Sequence, residues 1–134
     1  MHEAENTKVV QDAYAAFGRG DIPALLGYMA DDIQWRPVIG TAKPVPFSGE
    51  RRGKAAVAEF FKQVAESEDF QQFEPREFVA QGEKVVALGH YRAVTKATGR
   101  SFESDFVMVF TLRGGKVAAF QEFTDSAGIN AAFA

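Results

Sequence analysis

Residues 101–124, SFESDFVMVFTLRGGKVAAFQEFT, decide how this chain folds. Apolar and polar residues alternate through the first half, and successive side chains on a strand point to opposite faces. Phe106, Met108 and Phe110 therefore share one face, with Ser104 at its end, while Asp105, Val107 and Val109 share the other. Arg113-Gly114-Gly115-Lys116 is a hairpin signal, because adjacent glycines supply the positive φ angles that a tight two-residue turn requires. After the turn, Ala118, Phe120, Glu122 and Thr124 fall on one face and Val117, Ala119, Gln121 and Phe123 on the other. Both faces are mostly apolar, which a half-solvated antiparallel sheet would not tolerate. One face is expected to meet helices and a cavity, and the other a second copy of the chain.

Working outward, the preceding residues extend the same sheet. Residues 70–80 read as a strand interrupted by Pro75, which lacks a ladder donor and so marks an edge, bend or bulge. The turn at 81–84 leads into a strand over 85–95, and a second turn at 96–100 leads into 101–112. On the strand at 85–95, Val86, Leu88, His90 and Arg92 fall on one side, and Ala87, Gly89, Tyr91 and Ala93 on the other. Upstream, the spacing of Val9, Val10, Ala13, Tyr14, Ala16 and Phe17 predicts an amphipathic helix over 4–17, closed by Gly18 and Gly20. Asp21 caps a short second helix whose apolar side is Ile22, Leu25, Leu26 and Met29. A brief strand at 33–36 and an irregular Pro/Gly-containing loop at 38–49 follow. A third helix over 53–66 buries Val57, Phe60, Phe61 and Val64, and residues 125–134 form a short helical turn. The order predicts one α+β domain over 1–134, a cone-like fold with three N-terminal helices packed on a curved, mostly antiparallel sheet.

Composition narrows the chemistry. The 134 residues include no Cys, so disulfides, thiolate nucleophiles and thiolate metal sites are excluded. His90 is the only histidine away from the N-terminus, too few for a multi-histidine metal site, and no calcium-loop motif occurs. No metal and no cofactor are therefore expected. A net charge of −3 with no basic stripe argues against nucleic acid, since Arg51, Arg52 and Lys54 are too few to collect phosphates. No apolar run is long enough to span a membrane, and the acidic start is unlike a signal peptide, so a cytoplasmic protein is expected. Asp31 and Asp32 follow a helix without further acidic ligands and read as a solvated terminus. The 13 Phe residues are the unusual feature, and they raise the question of whether they only fill a core or also line a cavity.

Three stretches, DAYAAFGRGDIPALLGYMADDIQWRP, GERRGKAAVAEFFKQVA and DFVMVFTLRGGKVAAFQEFTD, together resemble the SnoaL-like polyketide cyclases and ketosteroid isomerase-related proteins of the nuclear transport factor 2-like superfamily. The resemblance spans almost the whole chain and implies the cone fold, a cavity and a homodimer formed through the sheet. It does not imply one activity. The catalytic positions of ketosteroid isomerase match Ala13, Arg36 and Met108 here, none of which can do that chemistry; Tyr14 is one place out, about 100° around a helix. In the limonene epoxide hydrolase pattern, Glu122 matches the acid of the last strand, but the middle-strand Arg/Asp pair falls near His90 and Arg92 and lacks its Asp. The SnoaL group also places an acid near the end of the sheet, the role Glu122 would take.

Family geometry then implies a cavity face holding Glu122, Phe120, Met108 and His90, closed by Trp35 and Tyr14. Glu122 and His90 are the expected catalytic dyad, and Tyr14, Trp35, Phe60, Arg92, Met108 and Phe120 the expected substrate contacts. A carboxylate set against Phe, Met and Trp is destabilised by desolvation, which lifts its pKa toward a useful acid/base range. The expected activity is cofactor-independent isomerase, cyclase or hydrolase-type chemistry on a small hydrophobic molecule. The alternative is a non-catalytic binding or dimerisation domain with the same apolar cavity.

Overall fold

In the computed structural model, which describes residues 2–37 and 45–134, the chain opens with a 16-residue helix, α1 (Glu3–Gly18). Next come α2 (Ile22–Gly27), β1 (Met29–Arg36), the two-residue β2 (Arg51–Arg52) and α3 (Lys54–Ser67). The second half holds β3 (Glu68–Gln81), β4 (Lys84–Thr95), β5 (Ser101–Arg113), β6 (Lys116–Phe123) and α4 (Ser126–Phe133). The six strands form one sheet in the order β2-β1-β6-β5-β4-β3. All neighbours are antiparallel except β1 and β6, which run parallel. This is the expected α+β arrangement of helices on a curved, open sheet. Of the irregular loop expected at 38–49, residues 38–44 lie outside the described residues.

Local chemistry explains the elements. Asp21 caps α2 by accepting from the Ala24 N–H at 3.1 Å, and Asp125 caps α4 by accepting from the Gly128 N–H at 3.0 Å. Gly114 and Gly115 carry φ angles of 59° and 78°, which is what the β5–β6 turn needs. Pro75 lies on β3, an edge strand, beside a register shift between Pro75 and Glu77, so its missing N–H disturbs no central ladder. Opposite it, Gly89 is fixed by crowding. A Cβ at Gly89 would sit 2.2 Å from the Glu74 carbonyl oxygen and 2.5 Å from Phe106 Cζ.

Three sequence expectations shift. Met29 opens β1 rather than closing the apolar side of α2. A bulge between Thr111 and Leu112 alters the parity of β6, so Val117 is buried and joins Phe120 and Glu122 on the inner face while Ala118 does not. One extra residue on one strand of a pair resets which side chains face inward. Finally, β4 presents Val85, Ala87, Gly89, Tyr91, Ala93 and Thr95 to the interior. His90 and Arg92 therefore lie on the outer face.

The core sits between the inner face of the sheet and the helices. From β5 come Phe102, Phe106, Met108, Phe110 and Leu112, and from the helices Val10, Ala13, Ala16, Leu25, Val57, Phe60, Phe61 and Val64. α4 covers one end through Ile129 and Phe133. Further apolar side chains lie on the opposite face of the sheet. Val79 is 57% exposed there and Phe123 43%, among the half-buried Val86, Leu88, Val107 and Val109.

Candidate active site

A cavity opens within the aromatic core, between the inner face of the sheet and α1, α2 and α3. It offers about 90 Å³ to the centres of water-sized atoms. One water needs roughly 10–15 Å³ by that measure, so a small ring compound fits. Of the expected site residues, Tyr14, Trp35, Phe60, Met108, Phe120 and Glu122 all line this one space.

Stacking rings build the wall. Trp35 on β1 lies over Phe120 on β6 with centroids 3.8 Å apart and planes 15° from parallel, because Trp35 and Phe120 are register partners in the parallel β1–β6 pair. Phe60 and Phe61 of α3 pack on the same indole at 5.6 and 5.5 Å. Such offset and edge contacts add to the burial energy of each ring and hold it in place. Tyr14, from α1, packs edge-on against Phe110 at 5.7 Å and donates its hydroxyl to Met108 Sδ at 2.9 Å. Burial, followed by the charge of Glu122, holds the Tyr14 phenol well above its ordinary range, so it stays protonated.

Glu122 sits on β6 opposite Met108 and is 8% exposed. Desolvation pushes its carboxyl from 4.5 up to about 7. A carboxyl near 7 can hold or release a proton at neutral pH, as a general acid or base must.

His90 and Arg92 are not brought to this site. Strand parity puts both on the outer face, where His90 pairs in register with Asp105 and Arg92 with Glu103. His90 Nδ1 lies 2.8 Å from Asp105 and Nε2 lies 3.2 Å from Glu103. Those two hydrogen bonds raise the imidazole pKa. The placement of His90 and Arg92 on the cavity face is thus corrected. The expectation came from family geometry; the inner face of β4 is instead the one that carries Ala87, Gly89, Tyr91 and Ala93, with the Phe106 ring of β5 packed against Gly89.

Three polar residues in the cavity, Glu68, Tyr91 and Tyr28, were not singled out from the sequence. Glu68, the first residue of β3, is 5% exposed and lines the cavity, and its Oε2 has no hydrogen-bond partner among the described residues. Burial, with the charge of Glu122 added, pushes its carboxyl up to about 8. The signal was period two: Glu68 and Phe70 share a strand face, but the acidic run Glu66-Ser67-Glu68-Asp69 reads as a solvated helix end. Tyr91 also lines the cavity, and burial followed by Glu122 and Glu68 raises its phenol pKa. The indole Nε1 of Trp35 is likewise buried without a partner among the described residues. No Lys, Arg or His lines the cavity among the described residues, and no group of three or more of their His, Asp and Glu side chains is arranged to hold a metal ion. No helix among the described residues is long and apolar enough to cross a membrane.

Comparison with known proteins places this arrangement. A nuclear transport factor 2-like protein from Burkholderia xenovorans is 38% identical, with 100% of this chain and 99% of that one aligned and a TM-score of 0.90. TerC, crystallised with polyporic acid, is 28% identical over 96% of this chain and 98% of its own, with a TM-score of 0.82. A candidate polyketide cyclase from Xanthomonas campestris pv. campestris shares the fold at 23% identity over 100% of both chains, with a TM-score of 0.81. No curated protein is significantly similar in sequence to this chain. The model of the SnoaL-like domain matches residues 10–120, which take in most of the sheet, α2, α3 and the second half of α1. The chain therefore belongs to the SnoaL-like domain family of the nuclear transport factor 2-like superfamily.

Proposed function

We propose that this protein catalyses cofactor-independent proton transfer on a small hydrophobic carbonyl compound, as an isomerase or cyclase, with Glu122 as the acid/base. The observation that carries the reading is a single one: a carboxyl set in an aromatic cavity by β6 and pushed to about 7 by burial. Tyr14, Trp35, Phe60, Met108 and Phe120 hold the substrate by shape and apolar contact, and Tyr14 and Trp35 each bring a polar hydrogen. The crystallisation of TerC with polyporic acid supports a small organic molecule as the ligand class. His90 and Arg92, on the outer face, have no part in this chemistry.

The test is a screen of cyclic enones, epoxides and polyketide mimics against the wild type and Glu122→Gln. Turnover by the wild type that falls at least about 100-fold in the variant is expected for a lost general acid/base. Turnover unchanged by the substitution overturns the role of Glu122. Binding of these compounds with no turnover of any overturns the enzyme reading in favour of a binding protein. We also propose that the outer face of the sheet, with Val79 and Phe123 exposed on it, pairs with a second copy of the chain. A monomer by light scattering would overturn that.

A further inference from the structure

The cavity holds a second carboxyl that the proposed function leaves idle. We propose that Glu68 is a second acid/base residue of this site, donating its proton to the oxygen of an uncharged carbonyl ligand through its unpartnered Oε2. This rests on the acid/base reading of the cavity.

Geometry comes first. Glu68 follows α3 directly, and its extended backbone, φ −151° and ψ 157°, turns the chain from helix into β3. That turn sends the side chain inward, beneath α3, rather than into solvent. A buried carboxyl oxygen without a partner is costly unless something in the cavity completes it. A ligand oxygen can do so, accepting from the protonated form of the acid.

Charge comes second. The titratable groups facing the cavity are Tyr14 from α1, Tyr28 at the end of α2, Tyr91 from β4, Glu122 from β6 and Glu68 itself. With no cation among the described lining residues, two carboxylates in one apolar space repel, and one keeps its proton. Burial raises both carboxyls and the charge of Glu122 raises Glu68 further, so Glu68 keeps its proton as Glu122 ionises. A pair of acids whose environments set their proton affinities apart divides into a base and an acid. The same negative charge excludes anionic ligands and admits uncharged ones.

The step balances within the site. The Glu122 carboxylate takes a proton from the carbon next to the carbonyl, and the C–H electron pair becomes a C=C bond. The C=O π electrons move to the oxygen, which takes the proton of Glu68. With a β,γ-unsaturated ketone as substrate the product is a dienol, whose O–H proton returns to the Glu68 carboxylate as C=O re-forms, while the former enol C=C pair becomes the Cα=Cβ bond and the Cβ=Cγ pair takes the proton of Glu122 at Cγ. Both acids are restored and the substrate is isomerised.

The test does not require a substrate. Glutamate side chains are labelled with ¹³C and their carboxyl resonances followed by NMR against pH, in wild type, Glu68→Gln and Glu122→Gln. The expected result is that Glu122→Gln lowers the Glu68 midpoint by about 1 pH unit or more, because the charge of Glu122 no longer opposes its ionisation; Glu68→Gln assigns the Glu122 resonance. A Glu68 midpoint unchanged in Glu122→Gln overturns the proposal, as do wild-type midpoints for both groups below about pH 5.5, near the ordinary glutamate value. If Glu122→Gln does not fold, Glu122→Ala removes the same charge and reads the same coupling. Failure here leaves the role of Glu122 standing. Conversely, turnover insensitive to Glu122→Gln would overturn the proposed function while the midpoints still report the coupling of the two carboxyls. With a substrate in hand, a pH–rate profile unaltered by Glu68→Gln overturns the acid/base role of Glu68.

Discussion

Replacing Glu122 with glutamine is expected to flatten the dependence of stability on pH. In the folded protein the carboxyl titrates at about 7 rather than 4.5. The native state therefore binds this proton more tightly than the unfolded chain does. Its contribution is complete below the unfolded value and is lost as pH rises through the folded one. At about 1.4 kcal/mol per pKa unit, the shift corresponds to roughly 3 kcal/mol. Glu68 and His90 are raised as well and slope in the same direction, but both remain in the variant. Glu3, Asp32 and Glu74 are lowered, so their contributions are lost only on acidification. The difference between the two proteins thus isolates Glu122, together with the part of Glu68's shift that the Glu122 charge causes. The assay is urea unfolding followed by far-ultraviolet circular dichroism, from about pH 5 to about pH 9, at one protein concentration. The two proteins should agree within about 1 kcal/mol at the acidic end, the worth of one altered hydrogen bond. At the alkaline end the variant should be the more stable by roughly 3 kcal/mol. Curves that run parallel across the range would refute the account of a carboxyl raised by burial.

Three further outcomes are expected. Gly89→Ala should destabilise the fold by about 1–3 kcal/mol or more, because the new methyl group meets a backbone carbonyl oxygen as well as the Phe106 ring; an unchanged melting temperature in calorimetry would contradict the close approach of β3. His90→Gln should leave the affinity of a cavity ligand within about twofold, since distant sites act independently, and a tenfold loss by titration calorimetry would put the imidazole back in the site. Val79→Lys combined with Phe123→Lys should halve the mass seen by light scattering while leaving the circular dichroism spectrum intact; an unchanged mass would remove the outer face as the proposed contact between copies.

What the sequence alone determined follows from local physics. The Gly114-Gly115 turn, the alternation along β5, the apolar spacing on α1 and α3, and the Asp21 cap are each readable within a few residues, and together they compel helices packed on a meandering sheet. Glu122 was legible too, as an acid among Phe and Met on a strand next to that turn. The partner of Glu122 in the cavity was not legible, because it depends on contacts between distant segments. Both sides of β4 are apolar enough to be buried, and only pairing with β5 decides that Tyr91 faces in while His90 faces Asp105 outside. The bulge that turns Val117 inward is a mismatch between two strands and exists on neither alone. Glu68 lies within a run of acids that looks solvated. Only the abrupt passage from α3 into β3 carries it beneath the helix, where desolvation and the charge of Glu122 turn an ordinary carboxylate into one that keeps its proton at neutral pH.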